Sequence, residues 1–512
     1  MSGEFKGVSA TSSRNYVPSG VPGLDYVLQG GLLREGFYLL QADPGSGKTT
    51  VALQYVLARI KAGESCLYVT LTESRSDLED ACASHGWTTD GLTICDLTEN
   101  AANLVGESQA SVFHPSETEL GDTTKAILAE VERVKPQHVV FDGLAELRLL
   151  SGDSLRYRRQ LLALKQFFKE KRITVLLLDD RSSGFDDIQP ESLVGANIVM
   201  ERFLPEYGKA RRRLFVTKVR GAHFREGYND YEIVQGGVVV HPRLVAAEHH
   251  DRFKRSSYPS GVNALDDMLD GGLTTGTTTL MLGPAGVGKS TVAMQYIATA
   301  LQRGERAAIY TFDEVLDTLF DRSEKLCQSL PGGPRKYQAD GQLHAQQIDA
   351  AEMTAGAFAS EVRRVVEDGA KIIVIDSLNG YMNAMPEERF LITHLHELFA
   401  YLNQKGVTTI MVVAQHGLMV GGLTEIDVSY LADTVLLFRY FEAHGEIRQA
   451  VSVFKKRTGP HQRTVRELKI TATGIAVGEP LNGFRGIMTG TPEYLGQTKM
   501  LTGDAASPKS NG

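Results

Sequence analysis

Apolar residues along this chain follow a helical rhythm and a strand rhythm, and each occurs twice. Leu53, Val56, Leu57 and Ile60 stand at i, i+3, i+4 and i+7, one face of a helix, and Met294, Ile297, Ala298 and Leu301 repeat that face 241 residues later. Short apolar runs flank both helices. "YVTLTES" (68–74), "HVVFDG" (138–143) and "TVLLLDD" (174–180) belong to the first half. "IYTFDEV" (309–315), "KIIVIDS" (371–377) and "TTIMVVAQ" (408–415) belong to the second. Runs of this length, alternating with helical segments, predict an α/β fold in each half, with a mostly parallel sheet flanked by helices and right-handed crossovers.

The repeat also carries chemistry. "PSGVPGLDYVLQGGLLREG" (18–36) pairs with "PSGVNALDDMLDGGLTTG" (259–276), with Asp25 and Asp266 at the same 241 offset. Each copy leads into a glycine-rich loop between strand and helix, "ADPGSGKTT" (42–50) and "GPAGVGKST" (283–291). Such a loop lets backbone N–H groups approach phosphates at a helix N-terminus, its lysine reaches the β/γ-phosphates, and its hydroxyl binds Mg²⁺. The second loop completes G-x-x-x-x-G-K-S, whereas the first has Ala42 in place of the leading glycine, which is tolerable if that position has a negative φ. The expected nucleotide ligands are Gly45, Ser46, Gly47, Lys48, Thr49 and Thr50, then Gly286, Gly288, Lys289, Ser290 and Thr291. ATP and Mg²⁺ are the expected cofactors.

Asp142 and Asp376 close apolar runs at strand ends, where a carboxylate can join Thr49 or Ser290 in holding Mg²⁺; the alternative is an ordinary strand-end cap. Glu73 and the pair Asp313–Glu314 are the candidate general bases. Asp179, Asp180 and Gln415 end a later strand where a γ-phosphate sensor would stand, and Gln415 has the neutral amide suited to that role. Two basic clusters, "TKVRG" (217–221) and "FKKRTG" (454–459), either contact their own core or project at a neighbour's phosphates, and the residues leave both open.

Composition narrows the class. The 512 residues exceed one core, and a net charge of −8 gives no general attraction to nucleic acid. Cys66, Cys82, Cys95 and Cys327 lack paired spacing, so free thiols are expected. No signal peptide or membrane span is evident, and a cytoplasmic location is expected. His249 and His250, in a charged stretch (241–257) that reads as a linker, are expected to be solvated, and Trp87 to pack near an edge.

Taken together, the tandem loops, strand-end aspartates and late basic clusters resemble the KaiC family, double-domain RecA-like ATPases of bacterial circadian timing. The resemblance runs from about residue 16 to about 492 and includes "LADTVLLFRYFEAHGEIRQAVSVFKKR" (431–457). It implies two tandem RecA-like P-loop domains, at 1–246 and 247–495, before a mobile tail at 496–512. It implies a homo-hexamer of two stacked rings with nucleotide at subunit interfaces, a slow ATPase in the first ring and serine/threonine autophosphorylation in the second. Lys218, Arg220, Lys455 and Arg457 match positions that reach a neighbour's nucleotide, and His461 matches another nucleotide contact. The family's paired glutamates are replaced by Thr72–Glu73 and Asp313–Glu314. Ser429 is the expected phosphoacceptor, with Tyr430 and Thr424 as the alternatives. A small KaiB-like protein or a two-component signalling protein would fit as partner.

Two other classes share these motifs. A RecA- or RadA-like DNA-stimulated motor needs a basic or aromatic loop for the strand, and "GKARRRLFVTKVRG" (208–221) is the one strongly basic stretch. An ATP-assembled, non-catalytic signalling scaffold would suit the thinner first site. Neither nucleic acid nor membrane is an expected partner.

Overall fold

In the first half the apolar runs form one sheet: β1 (Phe37–Ala42), β2 (Cys66–Thr70), β3 (Thr93–Asp96), β4 (His138–Asp142), β5 (Thr174–Asp180), β6 (Ala196–Phe203), β7 (Arg211–Val219), β8 (Asn229–Val234) and β9 (Gly237–His241). The second half repeats them as β10 (Thr278–Gly283), β11 (Arg306–Thr311), β12 (Leu343–Gln347), β13 (Ala370–Asp376), β14 (Thr408–Ala414), β15 (Thr434–Ala443), β16 (Glu446–Lys456), β17 (Val465–Thr471) and β18 (Gly474–Pro480). This is a computed structural model, and it describes residues 16–98, 115–181, 190–326, 330–349, 351–383, 391–415, 429–443, 445–471, 474–487 and 492–495. Thr424, Cys327 and the tail at 496–512 lie outside the described residues.

The strand orders are β3-β2-β4-β5-β1-β6-β7-β8-β9 and β12-β11-β13-β14-β10-β15-β16-β17-β18, the same topology twice. In each sheet the first six strands of that order run parallel and the last three extend it antiparallel. A parallel sheet is covered on both faces, which explains the unbroken apolar runs. In β13, Ile372 and Val374 enter one core cluster while Ile373 and Ile375 enter the other. Val140 of β4 likewise faces away from Val139 and Phe141. These are two tandem RecA-like units, each a mostly parallel sheet flanked by helices.

The helices after the glycine loops, α1 (Lys48–Lys61) and α2 (Lys289–Gln302), depart from a single apolar face. Val51 to Leu57 are all buried, Gln54 included, because α1 has neighbours on nearly every side. Gln54 donates to the Gly20 carbonyl at 3.1 Å and accepts from Val238 N–H at 2.9 Å. This also explains the "PSG" motif. A Cβ at Gly20 would fall 2.4 Å from the Ala58 side chain, so only glycine lets that loop lie on the helix.

The chain divides after Arg243, and residues from Leu244 belong to the second unit. The start of the stretch that reads as a linker is therefore packed, while residues 250–257 are exposed. Leu244 and Ala246 are buried in the second unit's core, Ala246 N–H donates to Glu397 at 3.1 Å, and Lys405 pairs with Asp251 at 2.9 Å. His250 is exposed, but His249 is half-buried with its ring edge-on to Tyr401, so solvation describes only one of the two. Apolar residues between the charges, too sparse to show a period, dock this segment. Trp87 packs on the first core, its ring stacked 4.8 Å from His85.

The repeated aspartate also has a structural task. Asp25 accepts from Ser19 N–H at 2.8 Å, and Asp266 from Ser260 and Gly261 N–H at 2.7 and 3.1 Å. Asp266→Ala leaves two backbone donors without their acceptor and is expected to destabilise the second unit by about 1–3 kcal/mol. The neighbouring exposed Asp267→Ala is the control, and thermal unfolding that fails to separate the two variants contradicts this role.

Candidate functional site

The first glycine loop leaves the end of β1 and turns into α1 through Gly45 and Gly47, at φ 75° and 95°. A Cβ on Gly47 would also stand 2.7 Å from Ile233, so glycine is required twice over. Neither Ala42 nor its counterpart Gly283 has a positive φ, which is why alanine fits in the first loop. At Gly283 the constraint is crowding, since a Cβ there would meet the Phe438 carbonyl oxygen at 2.5 Å.

A cavity of about 630 Å³ opens at this loop, lined by Gly45, Gly47, Lys48, Thr49, Thr50, Glu73, Asp142, Glu146 and Asp180 among others. The Thr49 hydroxyl donates to Glu73 at 3.3 Å, and the Tyr68 hydroxyl to Asp142 at 2.7 Å. Burial pushes Asp142 up to about 6 and raises Glu73 and Glu146 above the ordinary carboxylate range. Acidic oxygens beside a threonine hydroxyl are the hard donors that Mg²⁺ takes, and a nearby cation would relieve their crowding. Lys48 forms an ion pair with Asp180, which β5 places beside Ala42. The double aspartate in "LLLDD" marks this position in the sequence, but its pairing with Lys48 follows only from the register of β5 on β1. Asp179, by contrast, is buried against Arg148 at 2.9 Å.

The second loop repeats the geometry, with Gly286 and Gly288 at φ 76° and 104°. Its charges are arranged differently. Lys289 is 6 % exposed and donates to the carbonyls of Gly283 and Pro284 at 2.8 and 2.6 Å. Burial lowers it to about 8. Ala414 occupies the position that Asp180 has in the first half. Burial raises Asp376, while the Ser290 hydroxyl bonded to it and Lys289 lower it. Asp313 accepts from the Ser377 hydroxyl at 2.5 Å, and Glu314 pairs with Arg322 at 3.0 Å. Among the described residues no group of three or more metal-binding side chains converges, so a cation here would rest on one or two protein oxygens and the phosphates.

The basic clusters lie at the other end of the sheet. Lys455 of β16 pairs with Val435, which pairs with Leu280, and Arg457 N–H reaches Asp433, which bonds Thr278. That is three to five residues back from the loop, about 10–16 Å along the strand, and two strands to the side, about 10 Å. Lys218 and Arg220 stand the same way, level with Leu39 and Phe37. Neither pair lines the first cavity or approaches its own loop.

They hold a short turn instead. Lys455 donates to the carbonyls of Ser429 and Ala432 at 3.1 and 2.8 Å, and Arg457 to that of Tyr430 at 3.3 Å. Lys218 and Arg220 bind the carbonyls of Glu191 and Ser192 in the same way. The repeat thus sets Glu191 where the second half has Ser429, a correspondence hidden in the sequence by insertions between the halves. Ser429 is half-buried and Tyr430 exposed. His461 lies in the loop after β16, at the same end, with its Nε2 buried. Cys66 and Cys82 are buried free thiols and Cys95 is half-buried; burial pushes the Cys66 thiol up to about 12.

Comparison with known proteins agrees with this architecture. A family model for the KaiC ATPases matches residues 17–245 and again 258–482. The chain is 24 % identical to the circadian clock protein KaiC3 of Synechocystis sp., over 94 % of this chain and 95 % of that one. It is 26 % identical to the circadian clock oscillator protein KaiC of Prochlorococcus marinus, over 95 % and 97 %. The KaiC of Thermostichus vulcanus is 24 % identical, over 94 % and 92 %. Among the described residues no helix is long and apolar enough to cross a membrane. With the family model matched once over each glycine loop and its sheet, this chain belongs to the KaiC family of ATPases.

Proposed function

We propose that this chain is an ATP-driven signalling ATPase that assembles as a hexamer, with ATP and Mg²⁺ between neighbouring subunits, and that its second half phosphorylates Ser429. The observation that carries the reading is the placement of Lys455 and Arg457. They are far from their own loop, and they hold the backbone of Ser429 and Tyr430. A pair that meets a neighbour's phosphates would therefore deliver the acceptor hydroxyl to the same place.

In this mechanism Ser429 Oγ attacks the γ-phosphorus of ATP bound by the neighbour's Lys289 loop. The bond to the β–γ bridging oxygen breaks and ADP leaves. The hydroxyl proton passes to the neighbour's Asp313 or Glu314. Ser290 with Asp376, or Thr49 with Asp142, would hold Mg²⁺, which when bound would neutralise charge on the phosphate oxygens. In the first half the acceptor position is a carboxylate, Glu191, so water is the remaining acceptor and Glu73 its base. The exchange of Ser429 for Glu191 is what separates hydrolysis in one half from transfer in the other. The mark adds roughly two negative charges at a subunit boundary, enough to alter packing and binding of a small KaiB-like or two-component partner. That its relatives are circadian clock proteins extends this to a timing or stress-type role.

Incubation with Mg²⁺ and γ-labelled ATP should label the protein and release free phosphate, and Ser429→Ala should lose the label while keeping most of the release. Label that persists in Ser429→Ala moves the acceptor to Tyr430 or Thr424. Turnover that rises strongly with single-stranded DNA replaces this reading with the motor. A second expectation concerns Lys289. Burial disfavours its charged form, so it is protonated below about pH 8 and neutral above, and bound phosphates restore the charge. ATP binding to a Lys48→Ala chain should take up about one proton at pH 9 and almost none at pH 7. Calorimetry in two buffers of different ionisation enthalpy measures this, and equal uptake at both pH values contradicts it.

A further inference from the structure

Arg439 is a charged group near the second loop that the mechanism above leaves unused. It lies on β15, two residues beyond Leu437, which pairs with Leu282 at the end of β10. Its chain neighbour Tyr440 donates to the Ala285 carbonyl of the glycine loop at 3.3 Å from one face of the strand, and Arg439 projects from the other face, where it meets Gln415. Arg439 is half-buried, its Nε is buried without a partner among the described residues, and its Nη1 donates to the neutral amide oxygen of Gln415. Among the described residues no carboxylate lies within ion-pair distance, and burial alone lowers its affinity for the proton.

Gln415 ties this arginine to the reacting end of the site. Its N–H donates to the Gly283 carbonyl at 3.0 Å, the carbonyl that also accepts from Lys289 Nζ. The first half treats the same two positions differently. There the counterparts are Arg181 and Glu201, an ion pair at 2.9 Å, and Glu201 binds Arg213 as well at 2.8 Å. The first half has thus neutralised this position, while the second keeps a guanidinium facing an uncharged partner. A half-buried cation is costly unless an anion completes it, and planar guanidinium groups suit phosphate oxygens.

We propose that Arg439 reads the terminal phosphate of ATP from within the same subunit, and that Gln415 holds it in place until that phosphate arrives. The proposal rests on the nucleotide-site reading above. ADP lacks the anion that Arg439 would bind, so the residue makes the second site prefer ATP, and the first site lacks this device.

The test uses the full chain with the first loop silenced by Lys48→Ala, titrated with Mg²⁺ and either ADP or the imido analogue of ATP. Arg439→Gln should weaken the analogue about tenfold and ADP by less than about twofold, since only one charged hydrogen-bond group is lost. Arg439→Lys should recover part of the preference. Retained ADP binding is the folding control for both variants. Gln415→Ala removes the holding amide but leaves the charge, and it should keep the preference for the analogue. Equal weakening of both nucleotides by Arg439→Gln, or none, overturns the proposal alone, as does a preference abolished by Gln415→Ala but not by Arg439→Gln. If the Lys48→Ala chain binds neither nucleotide, the nucleotide-site reading fails and the proposal fails with it.

Discussion

A β-strand has two ends, and this chain puts its glycine loops at one and its basic pairs at the other. The glycine loops emerge where β1 and β10 end, because only there do a helix N-terminus and the strand-end acids Asp142 and Asp376 converge. The basic pairs stand level with the starts of those strands. No side chain spans that separation within the unit. If both ends act on one nucleotide, as we propose, the second end must come from another copy, and assembly is part of the site.

Duplication makes the comparison between halves informative. The sheets share an order, so each position has a counterpart under nearly the same packing. Three exchanges then stand out. Asp180 pairs with Lys48 where the second half has Ala414; Glu191 stands where it has Ser429; Glu201 pairs with Arg181 where Arg439 meets Gln415. Each exchange places a carboxylate in the first half and none in the second. The first half thus carries a carboxylate at each of these positions, where the second has an alanine, a hydroxyl and a guanidinium.

Much of this was legible in the residues. Continuous runs such as Ile372–Ile375 predict buried parallel strands, and the glycine loops announce phosphate chemistry without any structure. The aspartates of "PSGVPGLD" and "PSGVNALD" marked the repeat, though their task of binding Ser19 and Ser260 amides did not show. What stayed hidden depends on register. Whether Lys455 faces its own loop is decided by its pairing with Val435, a contact between residues twenty apart. Helix α1 showed one apolar face because sequence spacing cannot report the polar contacts, such as Gln54 with Gly20 and Val238, that bury the others. The packed residues just after Arg243 were obscured in the same way, with Leu244 and Ala246 too few to give a period.

The central claim is that each second-half site is completed by a neighbour, and subunit mixing tests it directly. One chain carries Lys289→Ala; the other carries Lys455→Ala with Arg457→Ala. Neither should label itself with γ-labelled ATP. Mixed assemblies should recover label, and it should fall on the Lys289→Ala chains, whose intact basic pair delivers Ser429 to the partner's intact loop. Label on the doubly substituted chain alone, or silence in mixtures shown to co-assemble, contradicts the account.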